Sequence, residues 1–295
     1  MVRGQWQLLR RFLEESLLRL VFTEGENFAL TAIGDVAARG TFQVISQLGS
    51  MVVRLVLSVW EGACFSRWSR LLAGGEHEAA VLLLRRMLKV MLFFGFSFIL
   101  LGPPLSGWLL GVLYSSRWSS PETVRTLQLY CYATPAMGFS GLLECFLRAA
   151  ASPEILRRQQ KVLLVLSTAY VCGCFAIVTY RQEDAVSCLV LLNICSKVLR
   201  GWTSAYLITQ CTKPGEGHSP LATWRDLTNV VGWRTVSVML CLLRLSRVVP
   251  PRVSHMTGVG LLYLLLILTT EEVRQLIQEG VAKLRSRRVV QKSKE

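Results

Sequence analysis

Four apolar stretches, residues 90–101, 162–179, 185–195 and 256–268, set the strongest constraint on what this chain can fold into. Runs approaching the length of a bilayer crossing have no water to satisfy their backbone, so each must close its hydrogen bonds within itself as a helix. Composition agrees: 52% of the 295 residues are hydrophobic and 18% charged, and mean hydropathy is +0.42. A soluble chain of this length needs far more polar surface to cover its core. The reading is an all-α, polytopic transmembrane helix bundle of about eight spans, near 11–36, 41–70, 87–114, 125–148, 161–180, 185–208, 228–248 and 255–271. "TEGEN" (23–27) interrupts the first, Gly102-Pro103-Pro104 bends the third and Thr134-Pro135 the fourth. Residues 1–295 form a single transmembrane domain, and 272–295 a basic tail.

The net charge of +14 does not point to nucleic acid, because the basic residues lie in loops between apolar runs and no separate basic domain with interleaved aromatics stands apart. Membrane topology accounts for them. One side of the proposed membrane collects 21 Lys and Arg, among them Arg67, Arg70, Arg85, Arg86, Lys89, Arg157, Arg158, Lys161 and the tail from Arg274; the other collects 5. By the positive-inside rule this imbalance predicts an even span count with both termini cytosolic. The apolar start lacks a cleavable signal pattern, since Arg19 breaks it and no small-residue cleavage site follows.

Seven basic residues fall inside spans, and several line up. Gln43, Gln47, Ser50, Arg54, Ser58 and Glu61 are spaced 4, 3, 4, 4 and 3, which is one face of a regular helix. Asn193, Lys197, Arg200 and Ser204 form a second stripe, and Arg234, Ser237, Cys241 and Arg244 a third. A Lys or Arg at the bilayer centre costs roughly 2.5–3.5 kcal/mol, against about 0.3–0.6 kcal/mol returned by a good apolar residue. Five such residues facing lipid would cost on the order of 12–18 kcal/mol, so the stripes must face protein or water. A purely structural alternative has the stripes pair with one another, Arg54 with Glu61 for example; Arg247 snorkels at a span end, and Arg148, four residues after Glu144, is placed to pair with it. The excess of positive charge favours an anionic head group instead, for which arginine forks suit phosphate.

Catalytic chemistry finds little support. The chain has no GxxxxGK[ST] loop, no HExxH and no Ser/His/Asp constellation; His77, His218 and His255 lie in loops or at a span end, and Asp35, Asp184 and Asp226 make no carboxylate pair. Of nine cysteines only Cys172 and Cys174 are close, without His or acidic neighbours, a poor metal site. No enzyme, no metal and no cofactor is expected.

The segments "TEGENFAL", "QLGSMVVRL", "WEGACFSRWSRLL" and "GLLECFLRAAASPE", in that order, and the terminal "LTTEEVRQLI" resemble the Rft family of endoplasmic-reticulum proteins, within the multidrug/oligosaccharidyl-lipid/polysaccharide exporter superfamily. The matching landmarks include Gly25, Glu26, Gly49, Arg54, Glu61 and Glu144; where the family carries a second acid after Glu61, this chain has Gly62. The resemblance implies a role in N-glycosylation: moving a dolichol-pyrophosphate-linked oligosaccharide across the endoplasmic-reticulum membrane, or enabling its use there. It covers the family's second lobe and C-terminal helices, so a missing N-terminal lobe is expected as partner, beside the lipid bilayer. In this reading Arg54, Lys197, Arg200, Arg234 and Arg244 face a cavity and hold the pyrophosphate, with Gln43, Gln47, Ser50, Glu61 and Asn193 as its polar lining. A membrane accessory subunit of the same pathway and an ion-coupled exporter are the alternatives.

Overall fold

The computed structural model describes residues 36–114, 120–181, 185–211, 239–244 and 257–264, with the backbone alone at 36–39, 50 and 52–54. Every regular element among them is helical. Helix α1 (Val36–Val52) runs through a π-helical segment (Val53–Leu57) into α2 (Ser58–Ala73); α3 (His77–Tyr114), α4 (Pro121–Ala150), α5 (Pro153–Tyr180) and α6 (Ala185–Thr209) follow. Residues 239–244 and 257–264 are helical as well.

The breaks between helices have local causes. After α2 the chain turns at Gly74-Gly75, where Gly75 adopts φ +77, a left-handed conformation that costs glycine nothing. Ser120 caps α4, its Oγ accepting from the Thr123 N–H at 3.3 Å, with Pro121 at the first helical position. Pro153 plays the same part in α5 and forces Ser152 into an extended conformation, which separates α4 from α5.

Among the described residues three helices are long and apolar enough to cross a membrane: His77–Tyr114, Pro153–Tyr180 and Ala185–Thr209. Two of them begin eight to ten residues ahead of the spans read from hydropathy. Hydropathy marks the crossing, whereas a helix continues to its cap: 38 residues of α3 extend about 57 Å, well beyond a hydrocarbon core of about 30 Å. The expected first span lies outside the described residues, as do most of 228–248 and 255–271.

Helix α4 is the hub. It packs chiefly on α6 and α3, and also on α2 and α1. Between α3 and α4 small residues let the backbones close up, as expected where no hydrophobic force drives association. A Cβ on Gly95 would stand 2.6 Å from Pro135 Cβ, and one on Gly138 would stand 2.3 Å from Met91 Sδ. Pro103, Pro104 and Pro135 sit inside helices, and the Pro103 carbonyl accepts from Ser106 Oγ (2.8 Å) and from Gln128 Nε2 of α4 (3.1 Å). Both bonds satisfy polar groups that lipid would leave bare.

Two cores stack along this hub. Leu57, Trp68, Leu84, Met91, Phe146 and Ile208 fill one end, where Trp68 meets Phe146 edge-on at 5.2 Å. Phe42, Ile45, Leu110, Leu127, Tyr170 and Leu189 fill the other. A third cluster holds Met239, Leu242, Val259 and Tyr263 against Phe93 and Leu100 of α3, and the Tyr263 hydroxyl donates to the Phe93 carbonyl.

The short turns 74–76 and 151–152 bring the end of α2, the start of α3, the end of α4 and the start of α5 to one end of the bundle. Arg158 Nη1 donates to Gln210 Oε1 at 3.2 Å and ties the end of α6 there too. Arg67, Arg70, Arg85, Arg86, Lys89, Arg157, Arg158 and Lys161 all belong to this end, which is the basic end of the bundle.

Candidate functional site: a charged cluster between α2, α4 and α6

Gly141, Glu144, Cys145 and Arg148 are spaced i, i+3, i+4 and i+7, so α4 presents them on one face. Helix α2 lays Glu61 across that face. Cys145 Sγ donates to the Glu61 carbonyl at 3.3 Å, and a Cβ on Gly141 would come within 1.9 Å of Glu61 Oε1. Only glycine at 141 leaves the carboxylate its present seat.

From α6 comes Arg200. Its Nε donates to Glu144 Oε1 and its Nη2 to Glu144 Oε2, both at 2.9 Å. The two side chains are 15% and 14% exposed. Two parallel bonds at this length are the strong, charge-assisted form of the contact. Lys197 lies one turn before Arg200 and is half-buried, and Glu61 is within electrostatic reach of Arg148, Glu144 and Lys197. The cluster thus joins three cations to two carboxylates. Glu144 precedes the end of α4 at Ala150 by six residues, about 9 Å along the axis. The site therefore lies toward the basic end and not at the middle of the bundle.

Several sequence expectations change here. Arg148 does not hold the Glu144 carboxylate: that group is given to Arg200, and Arg148 is exposed. The reason is directional. A guanidinium arriving from the facing helix meets the carboxylate head-on, whereas an i, i+4 partner must double back along its own helix, where an exposed pair contributes only a few tenths of a kcal/mol, roughly 0.3–0.5. Gln43 and Gln47 do not share the face of Glu61 either. The π segment Val53–Leu57 closes wider turns than an α-helix and slips the register by about one residue, roughly 100°. Accordingly Gln43 and Gln47 are exposed while Glu61 turns toward α4.

The α6 stripe does face protein. Ser204 is fully buried, Arg200 reaches α4, and Asn193 Nδ2 donates to the Tyr170 hydroxyl of α5 at 3.4 Å. Arg244 is exposed at the end of 239–244. The side chains of Arg54 and Ser50 lie outside the described residues, as do Gly25, Glu26 and Arg234. Gly49 is buried, and a Cβ there would stand 1.9 Å from the Tyr130 ring, so it serves as a seat for that tyrosine. Gly141 was not foreseen as a site residue, and Cys145 only as a neighbour of Glu144 in the family match. Their signal was present as a glycine and a small thiol on the face that carries Glu144.

A second feature is apolar. A cavity of about 350 Å³ between α1, α3 and α4 is lined by Leu48, Phe98, Leu105, Tyr130 and Cys131, among others. Two hydroxyls at its wall are tied to backbone carbonyls: Ser97 donates to that of Phe94 at 2.6 Å and Ser106 to that of Pro103. Thirteen residues of α4 separate Cys131 from Glu144, placing cavity and cluster about 20 Å apart along the axis.

Comparison with known proteins supplies the family. The family model described as Rft protein matches residues 4–283. The Man(5)GlcNAc(2)-PP-dolichol translocation protein RFT1 of Eremothecium gossypii is 25% identical over 183 residues, 61% of this chain and 33% of its own length. The protein of the same name from Mus musculus is 25% identical over 54% of this chain and 31% of its own. That from Xenopus tropicalis is 24% identical over 81% and 44% respectively. The chain thus spans between about a third and under half of these relatives. No solved structure matches it. With the model match running almost from end to end, the chain belongs to the Rft protein family.

Proposed function

We propose that this chain acts in the endoplasmic-reticulum membrane on a dolichol-pyrophosphate-linked oligosaccharide, in its translocation or its delivery for N-glycosylation; the names of its relatives state for them the translocation of Man(5)GlcNAc(2)-PP-dolichol. In this reading the chain is a multi-pass body of about eight spans, similar to the second lobe and C-terminal helices of an exporter-superfamily flippase. Both termini and the basic tail 272–295 face the cytosol. A first lobe supplies the facing wall of the cavity, because alternating access requires one body to rock against another. The protein does no covalent chemistry.

The observation that carries the proposal is the pair of α6 cations, Lys197 and Arg200, in the cluster near the basic end, which in this reading is the cytosolic side from which a lipid pyrophosphate enters. Lys197 and Arg200 stand one turn apart and within reach of a bridging anion, and Arg54, Arg234 and Arg244 extend the cationic surface in the same reading. The isoprenoid tail needs no polar site and remains in lipid.

The test is complementation. In cells depleted of their own Rft protein, the intact protein restores glycosylation of a reporter, and Lys197→Gln or Arg200→Gln lowers it while membrane abundance stays normal. Full activity of both variants removes the cluster from the mechanism and favours the accessory-subunit reading.

A further inference from the structure

Arg200 cannot offer its fork to a ligand and hold Glu144 at once. A planar guanidinium presents the same two parallel donors to a carboxylate or to a phosphate, and both donors are engaged at 2.9 Å. A ligand phosphate must displace the carboxylate, and the displaced charge, 14% exposed, needs compensation in a medium where a bare carboxylate is costly. The cluster holds that compensation. Arg148 lies one turn beyond Glu144 on the same face of α4, with an exposed side chain, at the spacing where Glu–Arg pairs form on a helix. Its charge already acts on this cluster, being within electrostatic reach of Glu61.

We propose that Glu144 is an internal occupant of the anion site: it fills the Arg200 fork when no phosphate is bound and swings to Arg148 when one arrives. This deepens the proposed function and rests on its reading of the cluster as the pyrophosphate site. Lys197, one turn from Arg200, then meets the second phosphate group. The arrangement keeps the site shut to weak anions, because a ligand must outbid an ion pair that is already formed. It also gives Arg148 a part that differs from a bystander's.

The inference is tested with purified protein in lipid nanodiscs, titrated with inorganic pyrophosphate at fixed ionic strength. Wild type binds weakly. Glu144→Gln binds at least tenfold tighter, and Glu144→Asp, which keeps a charge but shortens its reach, lies between the two and guards against a poorly folded Gln variant. Adding Arg200→Gln to Glu144→Gln abolishes the gain. Arg148→Gln weakens binding severalfold in wild type but leaves Glu144→Gln unchanged, since no carboxylate then needs a second partner. Equal affinity of wild type, Glu144→Asp and Glu144→Gln overturns the inference, as does an Arg148 effect that persists without Glu144, or no binding by any of them. Reporter glycosylation reads the proposed function separately: it fails or holds in the depleted cell whatever the order of these affinities.

Discussion

Replacing Glu144 by glutamine removes the carboxylate that Arg200 holds. The Arg200 side chain is 15% exposed and loses both charge-assisted bonds between α4 and α6. Removing one partner of a buried pair costs about 3–5 kcal/mol, and the residual exposure places this one near the lower figure, about 3 kcal/mol. Arg200→Gln takes the same two bonds from the carboxylate and costs about as much. The double variant leaves two amides able to bond one another, so its cost stays near that of either single change, with a coupling energy of roughly 2–3 kcal/mol. Arg148→Gln, at an exposed head group, stays within about 0.5 kcal/mol and adds independently to Glu144→Gln in the absence of anion. Reversible unfolding in bicelles by steric trapping reads all of these. A Glu144–Arg200 coupling below about 0.5 kcal/mol, or a larger one for Glu144 with Arg148, refutes the pairing described above.

Other outcomes follow from single positions. Gly49→Val drives two methyls into the Tyr130 ring and lowers stability by about 1–3 kcal/mol, a loss partly recovered by Tyr130→Ala in the same chain; no recovery places the strain elsewhere. Burial pushes the Cys211 thiol, just past the end of α6, up to about 11, so its maleimide labelling rate rises about tenfold per pH unit from 7 to 10. A plateau before pH 9 contradicts that environment. Glycosylation acceptor sites engineered into 149–160 remain unmodified and those in 115–124 are modified; the reverse pattern inverts the topology.

Membrane architecture was legible in the sequence because the bilayer imposes one rule on every segment: long apolar runs must be helices. The ends of α4 and α6 fell within a few residues of expectation for that reason, and the starts of α3 and α5 did not, since Arg85, Arg86, Lys89 and Arg157 lower hydropathy without ending a helix. The inward direction of Arg200 was also legible, from the cost of leaving it in lipid. Its partner was not. Spacing along one helix nominates Arg148 for Glu144, whereas the choice of Arg200 depends on how α6 rotates against α4, which periodicity does not encode. The π segment is a second such case. Nothing in "VRLVL" announces an extra residue in the turn, yet it turns Glu61 away from the face of Gln43 and Gln47 and onto Gly141.

The central claim, that the α2–α4–α6 cluster receives the pyrophosphate of a lipid-linked oligosaccharide, is tested most directly by native mass spectrometry of the purified protein with a dolichol-pyrophosphate-linked oligosaccharide. The account predicts a one-to-one complex with wild type that is lost in Arg200→Gln and weakened in Lys197→Gln, while a dolichol without phosphate is not retained. Equal retention by wild type and both variants, or no retention by wild type, contradicts it.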